Sequence, residues 1–584
     1  MKLNFRIDKR MSKIKINLLV LLFLILIAGI ANIPLGAEID WDYLAYHYYN
    51  AYAVLNNRLN IDMMPSGIQS YLNPVLDIIS YVMVNSLKHY PKLLLFLQAM
   101  PYAFLGFSIY LLNKELFIKI SEKKLFNCIL IFVSSVICLS ETTLISEFGM
   151  SFNDIQITTL IVLALWLLIK SFKDYKSKYL KWAGFLIGLA CGLKFTTGIY
   201  AITLVLAYML CAKHDDIKEL FKQVGIICLF SLLGLVVIDG WWACILWHKF
   251  KNPVFPYYNH IFKSEWFTSV NYHDYKFWKS GFFNILFLPL KWSETTYVFY
   301  EKWNLFVYES ARGLPSNNYN IVIEWPFFDL RHVFMYFSTW ILCFFVGRQI
   351  FVSKIAQDIQ KPKNIFEKIS RLFNKIDNLS IMGKEQLFLL SVVIISYFIW
   401  ATHFGIIRYL LPSLVLCGTF IVMVVIQFSK WLNDRRLYLG LIYLLFIVNI
   451  GYCTNPGARS DVFLYAPDLH IEDNSVVYLS GKPVSYLIAG QNKNARYIYL
   501  TGDADGGDYN FTQTDKYFGL VDFYSAKAKK KYLIKRKTGI PYESHKSNTP
   551  EIIKKYIKKP KKCKDIKTKY TYSYIPKFEI CEFL

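Results

Sequence analysis

Two carboxylates and a histidine follow directly after the first long apolar segment, in the run Asp40-Trp-Asp-Tyr-Leu-Ala-Tyr-His-Tyr-Tyr-Asn50. A segment that only spans lipid has no need of acidic side chains at its end. At a membrane surface, a carboxylate can accept the proton of a hydroxyl group that attacks a substrate. Asp42 and His47 are expected on one side of an amphipathic helix. The run therefore predicts acid–base chemistry at the membrane surface.

Further charged residues are expected on the same side of the membrane. A second acidic loop, Ser146-Glu-Phe-Gly-Met-Ser-Phe-Asn-Asp154, contains Glu147 and leads into an apolar segment. Lys194 lies in a Gly-Leu-Lys-Phe-Thr-Thr-Gly break, and Arg408 begins Arg-Tyr-Leu-Leu-Pro at the mouth of a late helix. These positions predict one polar site near the outer leaflet.

The composition indicates the kind of scaffold that positions these residues. The 584 residues are 55% hydrophobic and 18% charged, with a mean hydropathy of +0.31. Soluble proteins carry more charge, and segments able to cross about 30 Å of hydrocarbon recur along the chain. The sequence predicts an all-α polytopic membrane protein with about 11–13 transmembrane helices. The candidate spans are 16–33, 92–112, 125–140, 154–172, 182–193, 194–212, 222–247, 331–352, 385–402, 409–428 and 437–453.

The orientation follows from basic residues near the first span. Lys2, Arg6, Lys9 and Arg10 predict a cytoplasmic start and an uncleaved anchor. The loops 34–69, 141–153 and 248–330 then lie outside. This assignment requires that segment 70–88, which carries several polar residues, does not fully cross. If it does cross, a later segment is re-entrant or the C-terminus lies inside.

The composition changes after residue 453, and the apolar runs shorten to strand length, as at 475–480 and 496–500. We predict a membrane domain over 1–453 and a small α/β or α+β soluble domain over 454–584, which we expect to be extracytoplasmic. If it is, Cys563 and Cys581 can form a disulfide; otherwise they are two unrelated thiols. Residues 525–570 carry seventeen Lys or Arg and three acids. In a membrane protein, such a basic patch is expected to bind lipid headgroups or glycan phosphates rather than nucleic acid. The alternative is a solvated lysine-rich face that binds no ligand.

The chain resembles the GT-C superfamily of integral-membrane glycosyltransferases. The resemblance rests on the Asp-Trp-Asp run, the Lys-Phe-Thr-Thr step at Lys194, the Asn252-Pro-Val-Phe-Pro turn and the helix start at Arg408. The layout matches over roughly residues 10–455. The chain departs from one common version of the pattern, because its two acids are separated by a tryptophan. Which of the two is the base therefore stays open.

The resemblance implies a function. GT-C enzymes take sugar from a polyprenyl-phosphate donor, so we expect that donor, a glycan, lipid or protein acceptor, and membrane lipids as partners, with no nucleic acid. We expect the enzyme in the bacterial plasma membrane, with its active site facing the periplasm or the exterior. An O-antigen polymerase or ligase is one alternative. A flippase or transporter is another, but few charges besides Asp239 fall in mid-span.

The resemblance also implies roles for individual residues. Asp42 is the expected general base, with Asp40 as the alternative. Arg408 and Lys194 are expected to stabilise the departing lipid phosphate. Each also has a structural interpretation, as a helix-capping acid for Asp42 and as cations that reach the headgroups for Arg408 and Lys194.

Three further side chains are expected to bind substrate. Glu147 and Asp154 would orient the acceptor or, with a divalent cation such as Mg or Mn, the phosphate. Asp154 can equally be an acid that favours the start of a helix. His47 would position the donor or hold Asp42. The sequence has no recognisable metal-ligand spacing, so the need for a cation stays open.

Overall fold

The computed structural model describes most of the chain. The described residues are 2–174, 176–212, 217–269, 281–291, 329–352, 383–432, 459–460, 463–464, 466–500, 514–537, 555–556, 561–568 and 577–583. The predicted span 437–453 and much of the loop 248–330 lie outside them.

The first part of the chain is helical. Its helices are α1 (Lys2–Asn32), α2 (Tyr48–Leu55), α3 (Val75–Leu87), α4 (Pro91–Gln98), α5 (Met100–Phe117), α6 (Lys124–Leu139), α7 (Thr142–Ser146), α8 (Asp154–Lys173), α9 (Ser177–Leu193), α10 (Gly198–Cys211), α11 (Ile217–Phe250), α12 (Asn259–Phe262), α13 (Phe282–Leu286), α14 (Leu288–Lys291), α15 (Leu330–Val352), α16 (Lys384–His403), α17 (Leu411–Leu414) and α18 (Cys417–Leu432).

Among the described residues, five helices are long and apolar enough to cross a membrane, or six if the bent pair α17 and α18 forms one span. The five are Ile14–Leu35, Pro91–Phe117, Asp154–Lys173, Ile217–Phe250 and Lys384–His403. The prediction of a polytopic helical protein is confirmed, whereas the number of crossings stays a prediction. Helix α3 has 13 residues and reaches only about 20 Å at ~1.5 Å per residue. That length agrees with the expectation that segment 70–88 does not fully cross.

The long apolar run 182–212 is divided as predicted. Helix α9 ends at Leu193, Phe195–Thr197 form a tight 3₁₀ turn, and α10 begins at Gly198. Helices α9 and α11 pack closely through glycines. A Cβ atom added at Gly188 would lie 1.9 Å from the carbonyl oxygen of Ser231, so the helix backbones touch at this point.

Replacing Gly188 by alanine is expected to destabilise the membrane domain by about 1–3 kcal/mol, because the new methyl group meets a backbone atom that can move only with its helix. The melting temperature of the purified protein in detergent should fall by several degrees. Gly225 on α11 is the matched control, since a Cβ atom there meets nothing within 4 Å. Equal melting temperatures for the Gly188→Ala and Gly225→Ala proteins would contradict the close packing.

The C-terminal part forms a mixed sheet. The strands are β3 (Ser475–Ser480), β4 (Arg496–Tyr499), β5 (Lys530–Arg536), β6 (Lys562–Ile566) and β7 (Phe578–Phe583), in the order β4-β3-β5-β7-β6, with helix α19 (Asp515–Lys527). Strands β3, β4 and β5 are parallel, and β6 and β7 are antiparallel to their neighbours. The predicted strands at 475–480 and 496–500 are confirmed, and a disulfide joins Cys563 to Cys581 across β6 and β7.

The first outer loop and this sheet share one apolar core. It contains Tyr43, Tyr49 and Met63 from the loop together with Tyr478 and Ile498 from the sheet. Met63 also pairs with Ile498 as a parallel β-bridge. The core therefore extends across the predicted division at residue 453, and that division stays a prediction.

Polar contacts at this interface are also buried. Arg58 forms an ion pair with Asp62 at 2.6 Å and donates to the carbonyl oxygen of Ala495 at the same distance. Asp62 in turn accepts a hydrogen bond from the amide of Tyr497 at 3.0 Å. These contacts fix the C-terminal sheet against the loop that carries Asp40 and Asp42.

Candidate active site

The first acidic run folds as a π-helical turn. This turn, Tyr43–His47, continues directly into α2 and is buried. Asp40 precedes it and accepts a hydrogen bond from the amide of Asp42 at 2.8 Å. The hydroxyl of Tyr46 donates to Oδ2 of Asp42 at 3.0 Å. The predicted helix is therefore present in π-helical form, and local contacts hold the Asp42 backbone through Asp40 and the Asp42 carboxylate through Tyr46.

Arg408 joins the two acidic loops. It lies on the turn Ile407–Leu410 after α16, and its Nη1 atom is 3.0 Å from Oδ2 of Asp42 and 3.7 Å from Oδ2 of Asp154. Lys194, in the break between α9 and α10, contacts Oδ1 of Asp154 at 2.7 Å. Four residues that are far apart in the sequence thus form one chain of ion pairs. The structure brings these predicted site residues together.

Aromatic rings surround the two cations. The Arg408 guanidinium lies 5.1 Å from the centre of the Phe152 ring and 5.7 Å from that of Tyr409. The ammonium group of Lys194 lies 4.6 Å from the Tyr409 ring. Cations on aromatic faces are attracted electrostatically, and the rings also restrict their movement. The site therefore presents its positive charges in fixed positions.

The accessible side of this cluster is at Lys194. Its side chain is 22% exposed, against 11% for Asp42 and 6% for Asp154. Lys194 is therefore the most exposed of the four charged side chains, and Arg408 is 10% exposed. The arrangement suits a phosphate that approaches from outside and meets two cations.

The two aspartates of the first run differ in protonation. Burial raises the pKa of Asp40 well above its ordinary value, and the neighbouring charges of Asp42 and Glu38 raise it further. Burial also acts to raise the pKa of Asp42, but Arg408, His47 and the Tyr46 hydrogen bond outweigh it and leave that pKa below its ordinary value. Asp42 therefore loses its proton more readily than Asp40, and it is the better candidate for the ionised carboxylate.

His47 contacts a residue outside the predicted site. Its Nδ1 atom lies 2.7 Å from Oδ1 of Asp77 on α3, and its ring packs against Tyr46 with the ring centres 4.1 Å apart. Burial acts to lower the pKa of His47, but Asp77 outweighs it and the pKa is raised. His47 therefore supports Asp42 through Tyr46 and through its charge.

The acidic loop and the Lys194 break fall within a recognised family. Residues 94–242 match the family of dolichyl-phosphate-mannose-protein mannosyltransferases. That segment contains Glu147, Asp154 and Lys194, and the family is of the GT-C type. The match covers this segment and supports a glycosyltransferase of the GT-C type.

Solved structures and curated proteins give a more distant comparison. The glycosyltransferase is similar to the oligosaccharyltransferase of Archaeoglobus fulgidus in its apo form, with 13% identity, a TM-score of 0.41 and coverage of 89% of this chain and 69% of the other. A structure of the same archaeal protein with zinc and sulfate gives 13% identity, a TM-score of 0.37 and coverage of 88% and 68%. No curated protein matches the chain.

Glu147 of the glycosyltransferase is buried without a hydrogen bond. Its side chain is 1% exposed, and among the described residues neither carboxylate oxygen has a hydrogen-bond partner. Burial raises its pKa well above the ordinary value, and the charge of Asp154 raises it further. Both effects favour the protonated form of Glu147, next to the ion-pair chain.

The site carboxylates offer the oxygen ligands that Mg²⁺ and Mn²⁺ prefer. Within the part of the chain that the structure describes, however, no three of their oxygens converge closely enough to hold an ion. Arg408 instead lies between Asp42 and Asp154. The arrangement does not form a protein cage for a divalent cation.

A second ionic cluster lies beside the acidic loop. Glu141 accepts hydrogen bonds from the amides of Thr143 and Leu144 and lies 2.7 Å from Nε2 of His332, while Asp329 pairs with Arg331 at 2.6 Å. The ligand atoms of Glu141, Asp329 and His332 are close enough for a metal ion. Their carboxylates already accept amide and guanidinium hydrogen bonds, so the cluster caps α7 and fixes the start of α15.

Sequence reasoning assigned no role to several residues that contact the predicted ones. Tyr46 carries a usable signal, because it lies four residues after Asp42 and at helical spacing reaches the same face. Tyr409 directly follows Arg408, and Phe152 lies two residues before Asp154. Asp77 gives no such signal, since only the packing of α3 brings it to His47.

Proposed function

We propose that this GT-C glycosyltransferase transfers a sugar from a polyprenyl-phosphate-linked donor to a hydroxyl group of a glycan, lipid or protein acceptor. The reaction takes place at the outer face of a bacterial plasma membrane. The observation that supports this best is the chain of ion pairs from Asp42 through Arg408 and Asp154 to Lys194. It combines an ionised carboxylate with two cations suited to a phosphate.

Asp42 is the general base. As the acceptor oxygen bonds to the anomeric carbon, the bond from that carbon to the phosphate oxygen breaks and the hydroxyl proton passes to Asp42. Asp40 takes no part in this proton transfer, because its raised pKa favours the protonated form. Its role is to accept the hydrogen bond from the amide of Asp42, at 2.8 Å from Oδ2. The released polyprenyl phosphate carries the negative charge that develops.

Arg408 and Lys194 stabilise this leaving group. Arg408 offers a planar array of donors, and Lys194 provides a second charge nearer the entrance. Because Arg408 also holds the pKa of Asp42 down, a bound phosphate that shares the guanidinium weakens its hold on Asp42. Donor binding thereby makes Asp42 a stronger base when the acceptor arrives.

The neutral Glu147 and the ionised pair around Asp154 are proposed to orient the acceptor. A protonated Glu147 can donate a hydrogen bond to an acceptor or phosphate oxygen, which would supply the partner that its side chain lacks among the described residues. Mg²⁺ or Mn²⁺ bound to the donor phosphate would add positive charge beside Arg408 and Lys194.

Three observations support an outer-face reaction. The basic residues before the first span favour a cytoplasmic start. The first outer loop and the C-terminal sheet share a core, so they occupy the same side of the membrane. The Cys563–Cys581 disulfide in that sheet is typical of an oxidising compartment.

The test uses the purified protein in lipid vesicles with a panel of radiolabelled polyprenyl-phosphate sugars and a membrane extract as acceptor. For one donor, label should move to the acceptor fraction while polyprenyl phosphate is released. The protein with both Asp40→Asn and Asp42→Asn is the blank. Label that crosses the bilayer while still attached to its lipid, without transfer, would instead identify a transporter.

A further inference from the structure

A short strap from the C-terminal part lies beneath the acidic loop. Strands β1 (Ala37–Glu38) and β2 (Arg459–Ser460) form a two-stranded antiparallel sheet in which Glu38 is opposite Arg459. The first strand lies between α1 and the Asp42 run, and the second precedes the C-terminal sheet. The strap thus joins two regions more than 400 residues apart at the edge of the site.

Each member of the pair binds one end of the acidic loop. The Glu38 carboxylate accepts hydrogen bonds from the amide of Ser151 at 2.9 Å and from the Ser151 hydroxyl at 2.8 Å. The Arg459 guanidinium donates to the carbonyl oxygens of Phe148 and Gly149. Both charged side chains are at least nine-tenths buried. Together they fix the backbone between residues 148 and 151.

The segment held in this way carries the side chains of the site. Glu147 immediately precedes it, Phe152 beneath Arg408 follows it, and Asp154 is two residues further on. Gly149 lies in this segment with a φ of +67°, a conformation that favours glycine. A Cβ atom there would lie 2.2 Å from Oδ1 of Asn32, so the loop backbone passes close to α1. A shift of this backbone therefore moves three groups that surround the Arg408 guanidinium.

We propose that Glu38 and Arg459 are positioning residues that clamp the acidic loop 147–152 against Arg408, so that the C-terminal part of the chain sets the geometry of the transferase site. The kinetic side of this inference rests on the proposed function. The hydrogen-bonding groups of Arg459 point to backbone carbonyl oxygens, so it acts through the loop.

Amide hydrogen exchange of the full-length protein in detergent tests the clamp without any assay of activity. In Arg459→Gln the amides of residues 148–152 should exchange at least about tenfold faster, because the loop opens more often. Glu38→Gln should have the same effect at Ser151. Arg459→Lys retains one donor and should give an intermediate rate.

Arg496→Gln is the matched control. Arg496 also extends from the C-terminal part to a backbone carbonyl of the first outer loop, that of Ile61, but away from the acidic loop. In Arg496→Gln, the amides of residues 148–152 should exchange at the wild-type rate. Unchanged exchange in Arg459→Gln, or equal acceleration in Arg496→Gln, would overturn the clamp.

Kinetics then connect the clamp to transfer. In Arg459→Gln, kcat should fall by about tenfold or more while the KM for the donor stays within about twofold, because loop geometry matters most in the transition state. An equal fall of kcat in Arg496→Gln would contradict a specific clamp, because it would show that any weakening of the contact with the C-terminal part lowers the rate. If the wild type transfers no sugar, the proposed function fails, and hydrogen exchange still decides whether the clamp exists.

Discussion

Replacing Arg408 by alanine is expected to lower kcat for sugar transfer by about 10²–10³-fold, the usual cost of removing one group that stabilises a developing negative charge. Arg408 is the residue that contacts both acidic loops, at 3.0 Å from Asp42 and 3.7 Å from Asp154. Its loss removes the proposed cation for the leaving phosphate. Arg408→Lys should recover part of the rate, because it restores the charge without the planar array of donors.

The alanine variant also leaves two acids with less compensation, which can destabilise the fold. Breaking a buried pair costs about 3–5 kcal/mol. Adding Asp42→Asn to Arg408→Ala removes one of the two acids that lose their cation, so the double variant should melt closer to the wild type and still be inactive. Transfer at the wild-type rate by a folded Arg408→Ala protein would contradict the assignment of the phosphate cation.

Asp42→Asn is expected to lower kcat by about 10²–10⁴-fold, the range for loss of a general base. Asparagine has the same shape and can still accept the Tyr46 and Arg408 hydrogen bonds, so the fold should be retained. Asp40→Asn is the matched comparison. Because the pKa of Asp40 is raised, which favours its protonated form, an amide replaces it closely, and the loss should be less than about tenfold.

The reverse order of effects would identify Asp40 as the base and contradict the proposal. The pH profile gives an independent measurement. Activity should fall as the pH drops through the pKa of Asp42, which lies below its ordinary value in the free enzyme because of Arg408. If donor phosphate takes up part of the Arg408 charge, the acid limb of kcat should lie at higher pH than the acid limb of kcat/KM. Coincident limbs would show that donor binding leaves Asp42 unchanged.

Several features could be predicted from the sequence because they depend on local pattern. Hydropathy predicted a polytopic helical protein, and the run lengths after residue 453 predicted strands such as Ser475–Ser480. The clustering of Asp42, Asp154, Lys194 and Arg408 was also predictable. Each lies at the same end of an apolar segment, and packed spans bring such ends together.

Other features depend on which distant parts of the chain pack together. The sequence gives no reason for His47 to contact Asp77 or for Arg459 to reach the carbonyl oxygen of Phe148. It also named Asp42 as the expected base but kept Asp40 as the alternative. Burial and the position of Arg408 distinguish them, because a carboxyl group keeps its proton where desolvation dominates and loses it where a buried cation lies beside it. The sequence by itself determined which charged groups gather in one cluster, and the tertiary structure decided the direction of their pKa shifts and the contacts that hold them, since both depend on long-range packing.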